Sequence, residues 1–532
     1  MALVTVDALS VALPDGGDRP LAVDDVSFSV AKGEIVCLVG ESGSGKSVIA
    51  QAIIGMLPSA LPVTSGAICF DGSTLPAQRD RAYLKLRSVR MAMIFQDASA
   101  SLDPLQRVGA QLEEIGLVHG LSRADRKARV ADILRAVRLP DPAKIARAYP
   151  HQLSGGQAQR IVIAAALLLD PDLLIADEPT TALDVTTQAE ILSLINDLRR
   201  ERGTAVLFIT HDFGVVSDIA DRIVVMRTGQ LVEMGEAAVV LQSPRHSYTK
   251  TLLAAAAADG PTRKPTRADT VMAAQNVNLT YVSGGPFNRR RVPAVIDVSL
   301  NLCRGRTTAV VGESGSGKSS LARCLLRLET VSSGNIMFEG EDITHLAGAR
   351  MRDLRRRIQV VLQDPFSALT PRQKLGAAIA EGPIIHGTPK SEARDRAEEL
   401  LDLVGLPPQA YDRHPHEFSG GQRQRICIAR ALALDPDVLI ADEPVSALDV
   451  SIQAQVLDLL AALQQRLGFA MMFITHDLRV AASIADDLLV MQHGRVVEQG
   501  DAAQIFARPH QPYTRALLAA VPGHQLPGGR AA

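Results

Sequence analysis

The eight residues GESGSGKS occur twice, from Gly40 to Ser47 and again from Gly312 to Ser319. The spacing G-x-x-x-x-G-K-S is that of a phosphate-binding P-loop. Its glycines let backbone N–H groups converge on phosphate oxygens, its lysine reaches the outer phosphates, and its serine hydroxyl holds Mg²⁺. Each copy follows a strand-length apolar run (EIVCLVG, TTAVVG) and opens a helical pattern (KSVIAQAIIGML, KSSLARCLLRL) whose N-terminus favours an anion. Because 532 residues exceed what one core accommodates, the repeat predicts two α/β domains in tandem.

The motifs that follow keep the same order in both halves. LLIADEP and VLIADEP read as apolar strands ending in carboxylates, and AVLFITHD and AMMFITHD as strands ending in histidine. The P-loop lysine moves by 272 positions (Lys46 to Lys318), whereas Asp177 to Asp442 and His211 to His476 both move by 265, so one unit was copied with small insertions before its later part. Between the halves, the Pro-, Thr- and charge-rich Asp259 to Asp269 reads as an exposed linker, able to span at most about 36 to 40 Å. The expected organisation is a first domain over 1–258, a linker over 259–270 and a second domain over 271–532.

The totals exclude some classes. With 56 Lys+Arg against 58 Asp+Glu, nothing favours a polyanionic partner, and no nucleic acid is expected. The five cysteines form no C-x-x-C pair and suit a reducing compartment. The beginning of the sequence lacks the basic and apolar regions of a signal peptide, and no run reaches the ~20 apolar residues of a spanning helix.

In a P-loop enzyme the metal is shared between the loop serine and an aspartate at a strand end. Asp177 with Ser47, and Asp442 with Ser319, are placed for that role, while the adjoining Glu178 and Glu443 are candidates to orient the attacking water. A lone Asp-Glu pair is more often a solvated turn. Two of them, each at a strand end downstream of a P-loop, point to chemistry.

LSGGQ (Leu153 to Gln157) and FSGGQ (Phe418 to Gln422) resemble the signature motif of the ABC ATPases, and the order P-loop, Gln, signature, Asp-Glu, ALD, His resembles that family's whole nucleotide-binding domain. The resemblance covers nearly the entire chain, once per half. It implies two tandem P-loop NTPase domains, each a RecA-like α/β core with a helical subdomain, using ATP and Mg²⁺. It places Gln96 and Gln363 in the Q-loop at the metal and the water, Asp184 and Asp449 in the D-loop, and His211 and His476 at the γ-phosphate. The family pairs its domains head to tail. One expected site therefore combines Gly40, Glu41, Ser42, Gly43, Ser44, Gly45, Lys46, Ser47, Gln96, Asp177, Glu178 and His211 with Ser419, Gly420, Gly421 and Gln422. The other combines Gly312, Glu313, Ser314, Gly315, Ser316, Gly317, Lys318, Ser319, Gln363, Asp442, Glu443 and His476 with Ser154, Gly155, Gly156 and Gln157. Tyr281 stands where the family stacks adenine; the first half has Leu13 there.

Within the family, RAYPHQLSGGQ and DRHPHEFSGGQ resemble the peptide/nickel importer ATPases. So do the ends of the halves, SPRHSYTKTLLAA and RPHQPYTRALLAA, which are similar to that group's C-terminal extension. The resemblance implies an ATPase energising import of peptides or related small solutes, peripheral at the cytoplasmic face of the inner membrane, with two permease subunits and a solute-binding protein as partners. The alternative is a soluble ABC ATPase acting on the ribosome or nucleic acid; the short linker and the absence of paired cysteines weigh against it. Two departures stand out. No cysteine follows Cys427, so the iron–sulfur motif of some relatives is not expected. Ala158 and Ala165 replace the arginines found at 423 and 430, so the halves differ beside their signatures.

Overall fold

The computed structural model describes residues 2–14, 16, 19–76, 80–87, 89–98, 100–180, 183–256, 269–283, 290–446 and 448–523. The expected linker falls almost wholly outside them. The chain divides into two compact units, mainly Met1–Leu183 with Thr187–Ala257, and Ala258–Val521.

In the first unit IVCLV forms the strand Ile35–Val39, buried along its whole length. A continuous apolar run of this kind belongs in the middle of a parallel sheet covered on both faces. Its alternation divides two cores: Ile35, Cys37 and Val39 enter one cluster, Val36 and Leu38 another. Each fully buried aliphatic side chain contributes roughly 1.5–3 kcal/mol. The sheet has six strands in the order Gln230–Glu236, Arg222–Arg227, Ile35–Val39, Ala205–Thr210, Leu173–Asp177, Met91–Ile94. Only the edge strand Gln230–Glu236 is antiparallel to its neighbour.

The register puts Val39 beside Thr210 and Asp177 beside Ile209. Hence the P-loop, the Asp-Glu pair, the histidine and Gln96 all leave the carboxyl ends of four adjacent parallel strands, the rim where open α/β sheets bind ligands. A four-stranded antiparallel sheet, in the order Leu21–Ala31, Ala2–Ala12, Val63–Phe70, Ser73–Thr74, packs on the Val36 and Leu38 face. On the other face the helices Val108–Val118, Arg123–Ala136, Pro142–Arg147 and Gly155–Leu167 share a core with Ile35, through Leu112, Ile133, Leu134 and Ile161.

The second unit repeats this plan. Its six-stranded sheet runs Ile358–Val361, Val438–Asp442, Ala470–Ile474, Thr307–Val311, Asp487–Gln492, Arg495–Asp501. Its antiparallel sheet runs Arg290–Cys303, Thr270–Ser283, Ser333–Phe338, Glu341–Asp342. The helices Leu375–Ile385, Lys390–Leu403 and Gly420–Leu432 bury Ile379, Leu400, Leu401 and Ile426 together.

One boundary differs from expectation. The helix after the first P-loop spans Lys46–Ile54 rather than reaching Leu57, because Gly55 adopts a left-handed conformation (φ 69°) and its N–H turns back to the Ala52 carbonyl. Among the described residues, no helix is long and apolar enough to cross a membrane.

Candidate functional site

Both P-loops run from a buried strand into a helix with no side-chain cap at its N-terminus, where Gly45 and Gly317 precede the lysine. The first turn therefore keeps N–H donors aimed at the loop. Gly40 (φ 156°) and Gly312 (φ 148°) press on the sheet: a Cβ would lie 2.2 Å from the carbonyl oxygen of Met226 or Met491. Lys46 is buried, and its Nζ donates to the carbonyls of Gly40 (2.7 Å) and Glu41 (2.8 Å). Lys318 makes the same bonds to Gly312 (2.8 Å) and Glu313 (2.9 Å), and burial pulls its pKa below the ordinary lysine value despite Glu443 nearby.

Ser47 Oγ donates to Asp177 Oδ1 at 3.1 Å, and Ser319 Oγ to Asp442 Oδ1 at 3.1 Å. A hydroxyl and a carboxylate oxygen side by side at the phosphate loop are the hard donors that Mg²⁺ takes from a protein, its other positions going to water and phosphate. Burial pushes both aspartates above the usual carboxylate range; their serines oppose this and the neighbouring glutamates add to it. A divalent cation would compensate that buried charge.

Gln96 Nε2 donates to Glu178 Oε2 at 2.8 Å, and His211 Nδ1 lies 3.2 Å from Glu178 Oε1. Gln363 donates to Glu443 Oε2 at 2.9 Å, with His476 Nδ1 3.2 Å from the same oxygen. Burial works against charge on both members of the second pair. Their mutual attraction outweighs it, lowering Glu443 and raising His476 from their ordinary values. Glu178 and Glu443 sit at φ 48° and 47°, left-handed backbone that costs a non-glycine residue about 1 kcal/mol or more and recurs at active sites. Thus Lys, Ser, Asp, Glu, Gln and His come together in each unit as the motif order implies. The D-loop aspartates Asp184 and Asp449 lie just before the helices Val185–Arg202 and Val450–Leu467.

The signature segments open the helices Gly155–Leu167 and Gly420–Leu432. Ser154 and Ser419 cap them, each accepting from the N–H three residues on, while Gln157 and Gln422 return the bond to the serine N–H. Gly156 and Gly421 have no room for a side chain, since a Cβ would meet Thr187 at 2.5 Å or Ile452 at 2.3 Å. The arginines peculiar to the second half tie its signature helix to the segment after its Q-loop. The Arg430 guanidinium donates to the Ala368 carbonyl (2.6 Å), and that of Arg423 stacks 4.2 Å from the centre of the Phe366 ring. Ala158 and Ala165 have no side-chain group to make either contact.

Tyr281 lies on Thr270–Ser283 opposite Val292, half-buried against the core of its antiparallel sheet. The left-handed residues Ala8 and Asn276 fix the register between the halves, and that register makes Leu13 the counterpart of Tyr281. Sequence reasoning missed other contacts with the loops. The Arg19 guanidinium donates to the Gly43 carbonyl, and the hydroxyls of Tyr248 and Tyr513 accept from the N–H groups of Glu41 and Glu313. The one available signal was the Tyr-Thr pair repeated in both C-terminal extensions.

Comparison with known proteins agrees with this architecture. The family model described as ABC transporter matches residues 23–181 and 295–446, and that described as the C-terminal region of oligopeptide/dipeptide transporters matches 232–295 and 497–530. The chain belongs to the ABC transporter family. It is 48% identical to the peptidoglycan transport ATP-binding protein YejF of Agrobacterium fabrum, over 97% of this chain and 96% of that one. It is 44% identical to the glutathione import ATP-binding protein GsiA of Pectobacterium atrosepticum, over 98% of this chain and 89% of that one. Among solved structures, cbiO1 from Clostridium perfringens, part of the ABC transporter complex cbiONQ, is 30% identical and covers 45% of this chain and 92% of its own, with a TM-score of 0.41.

Proposed function

We propose that this chain binds and hydrolyses ATP to energise import of peptides or related small solutes through separate membrane subunits. The observation that carries the reading is the convergence, in each unit, of a buried P-loop lysine, a serine–aspartate pair and a Gln–Glu–His cluster on one rim of a parallel sheet. ATP brings the phosphoanhydride bond, and Mg²⁺ bound with it would neutralise charge on its phosphates. Lys46 and Lys318 exchange their carbonyl partners for phosphate oxygens. Ser47 with Asp177, and Ser319 with Asp442, would hold the metal, and Gln96 and Gln363 would assist them. Glu178 and Glu443 accept hydrogen bonds from the attacking water and polarise it, while His211 and His476 hold that carboxylate and reach the γ-phosphate. Ser154 to Gln157 and Ser419 to Gln422, each at a helix N-terminus, supply a second phosphate-binding element; this assignment rests on the duplication of both motifs.

Import rather than ribosome or nucleic-acid work is favoured by the two matches to the oligopeptide/dipeptide transporter C-terminal region and by relatives named for peptidoglycan transport and glutathione import. Two permeases, with a solute-binding protein outside, are the partners of this proposal, and the cytoplasmic membrane face is the location. Docking to the permeases uses the segments after Gln96 and Gln363, where Leu105, Leu117, Val118, Phe366 and Ile385 stand exposed. Membrane fractionation tests it: the protein sediments with membranes when its permeases are present and is released when they are deleted. Retention without them, or co-purification with ribosomes, would refute the reading.

A further inference from the structure

In each unit the C-terminal extension reaches back to the phosphate loop. Tyr248, on the helix Ser247–Ala256, is 7% exposed, and its hydroxyl accepts from the N–H of Glu41 at 3.2 Å. Tyr513, on the helix Pro512–Ala519, accepts from the N–H of Glu313 at 3.3 Å. The same contact is thus built twice, from residues 207 and 200 positions apart in sequence.

Both tyrosines are rigidly mounted. The turn ahead of Tyr248 is held by Glu233, whose carboxylate accepts from the N–H groups of Arg245 (2.7 Å) and His246 (3.1 Å); the Arg227 guanidinium covers the ring at 4.9 Å. Glu498 does the same for the turn ahead of Tyr513, accepting from His510 (2.8 Å) and Gln511 (3.2 Å). A line of contacts therefore runs from the edge strand of each six-stranded sheet, through a capped turn and a tyrosine, to the loop. Burial pushes both phenols up to about 12, so they stay neutral at any physiological pH.

What the tyrosine holds is the limb of the loop that the lysine must release. The carbonyls on both sides of the Gly40–Glu41 step, and of Gly312–Glu313, are occupied by the lysine Nζ. When the lysine turns to a phosphate, the tyrosine bond remains to fix that step. We propose that Tyr248 and Tyr513 are positioning residues that hold the P-loop in its phosphate-accepting shape, so that each C-terminal extension sets the ATP affinity of its own half.

This rests on the ATP-binding reading above. Calorimetric titration of the full chain with Mg·ATP tests it, using Tyr248→Phe in a Lys318→Ala background and Tyr513→Phe in a Lys46→Ala background. Phenylalanine keeps the ring and its packing and removes only the hydroxyl, which at Tyr248 also bonds to the Glu41 side chain. The dissociation constant is expected to rise roughly three- to tenfold, the effect of one net hydrogen bond, with the melting temperature held. Leu252→Ala and Leu517→Ala, which loosen the same helices at buried positions without touching the loop, should lower the melting temperature and leave affinity within about twofold of its starting value. Unchanged affinity in both Phe variants, or an equal loss of affinity in the leucine variants, overturns the proposal. A wild-type chain that binds no Mg·ATP would instead refute the nucleotide reading itself.

Discussion

Replacing Glu178 and Glu443 together by glutamine separates folding from chemistry. Each carboxylate takes a glutamine N–H at 2.8 or 2.9 Å and a histidine Nδ1 at 3.2 Å. An isosteric amide has one acceptor oxygen, so at Glu178, whose two partners take different oxygens, one polar contact is lost or reversed, whereas at Glu443, whose partners share one oxygen, both can persist as weaker neutral bonds; about 1.5–3 kcal/mol per site is the upper figure for a bond to a charged group. The left-handed backbone adds nothing to the difference, because glutamine and glutamate bear the same cost there, and the N–H bonds to Ile209 and Ile474 (3.0 Å) survive. Removing the group that handles the water's proton costs a factor of roughly 10² to 10⁴, or about 3 to 5.5 kcal/mol of barrier. The chemical effect outweighs the structural one: the double variant should fold, bind Mg·ATP and fail to cleave it. Single-turnover phosphate release from the permease-bound complex, with bound nucleotide measured in parallel, gives the answer. Turnover within about tenfold of wild type would refute the assignment of the two glutamates.

Lys46→Ala and Lys318→Ala should each weaken Mg·ATP at one site by roughly ten- to a hundredfold, the worth of a lost charged hydrogen bond, as read by titration with the other site disabled. Tyr281→Ala should weaken binding at the Lys318 site by about ten- to a hundredfold if adenine stacks there, while Leu13→Ala changes the Lys46 site little. Tyr281→Phe should keep that affinity and raise thermal stability by about 1 kcal/mol, because the buried phenol oxygen has no hydrogen-bond partner among the described residues; equal loss in Phe and Ala variants would dismiss stacking. For Glu498 the sign is set by a folded-state pKa below the ordinary one: burial raises it, but the donors around its carboxylate prevail. Its stabilisation is complete above the unfolded value of about 4.3 and is lost as pH falls through the folded value, so Glu498→Gln should melt below wild type at neutral pH, with the gap closing under about pH 4.

Much of this protein is legible in its sequence because the informative physics is local. The P-loop spacing specifies a strand, a glycine turn and a helix N-terminus within sixteen or so residues, and IVCLV, LLIAD and AVLFI read as apolar strands from their short continuous runs. Duplication of the motifs, with the signature between Gln and Asp-Glu, settles two domains of one family, as the matches to 23–181 and 295–446 agree. Side-chain geometry is a different matter. That Gln96, Glu178 and His211 touch follows from the order of strands in the sheet, which brings together segments 82 and 33 residues apart. The left-handed backbone at Glu178 and Glu443 has no signature in residue type, since glutamate gains nothing locally from it and only the surrounding structure enforces it. The arginine tie from Arg430 to Ala368 and the tyrosine contacts on Glu41 and Glu313 join elements whose separate patterns read as amphipathic helices and loops. A helix pattern reports which face is buried, whereas the neighbour that buries it is chosen by packing across the whole unit, and only the tertiary structure records that choice.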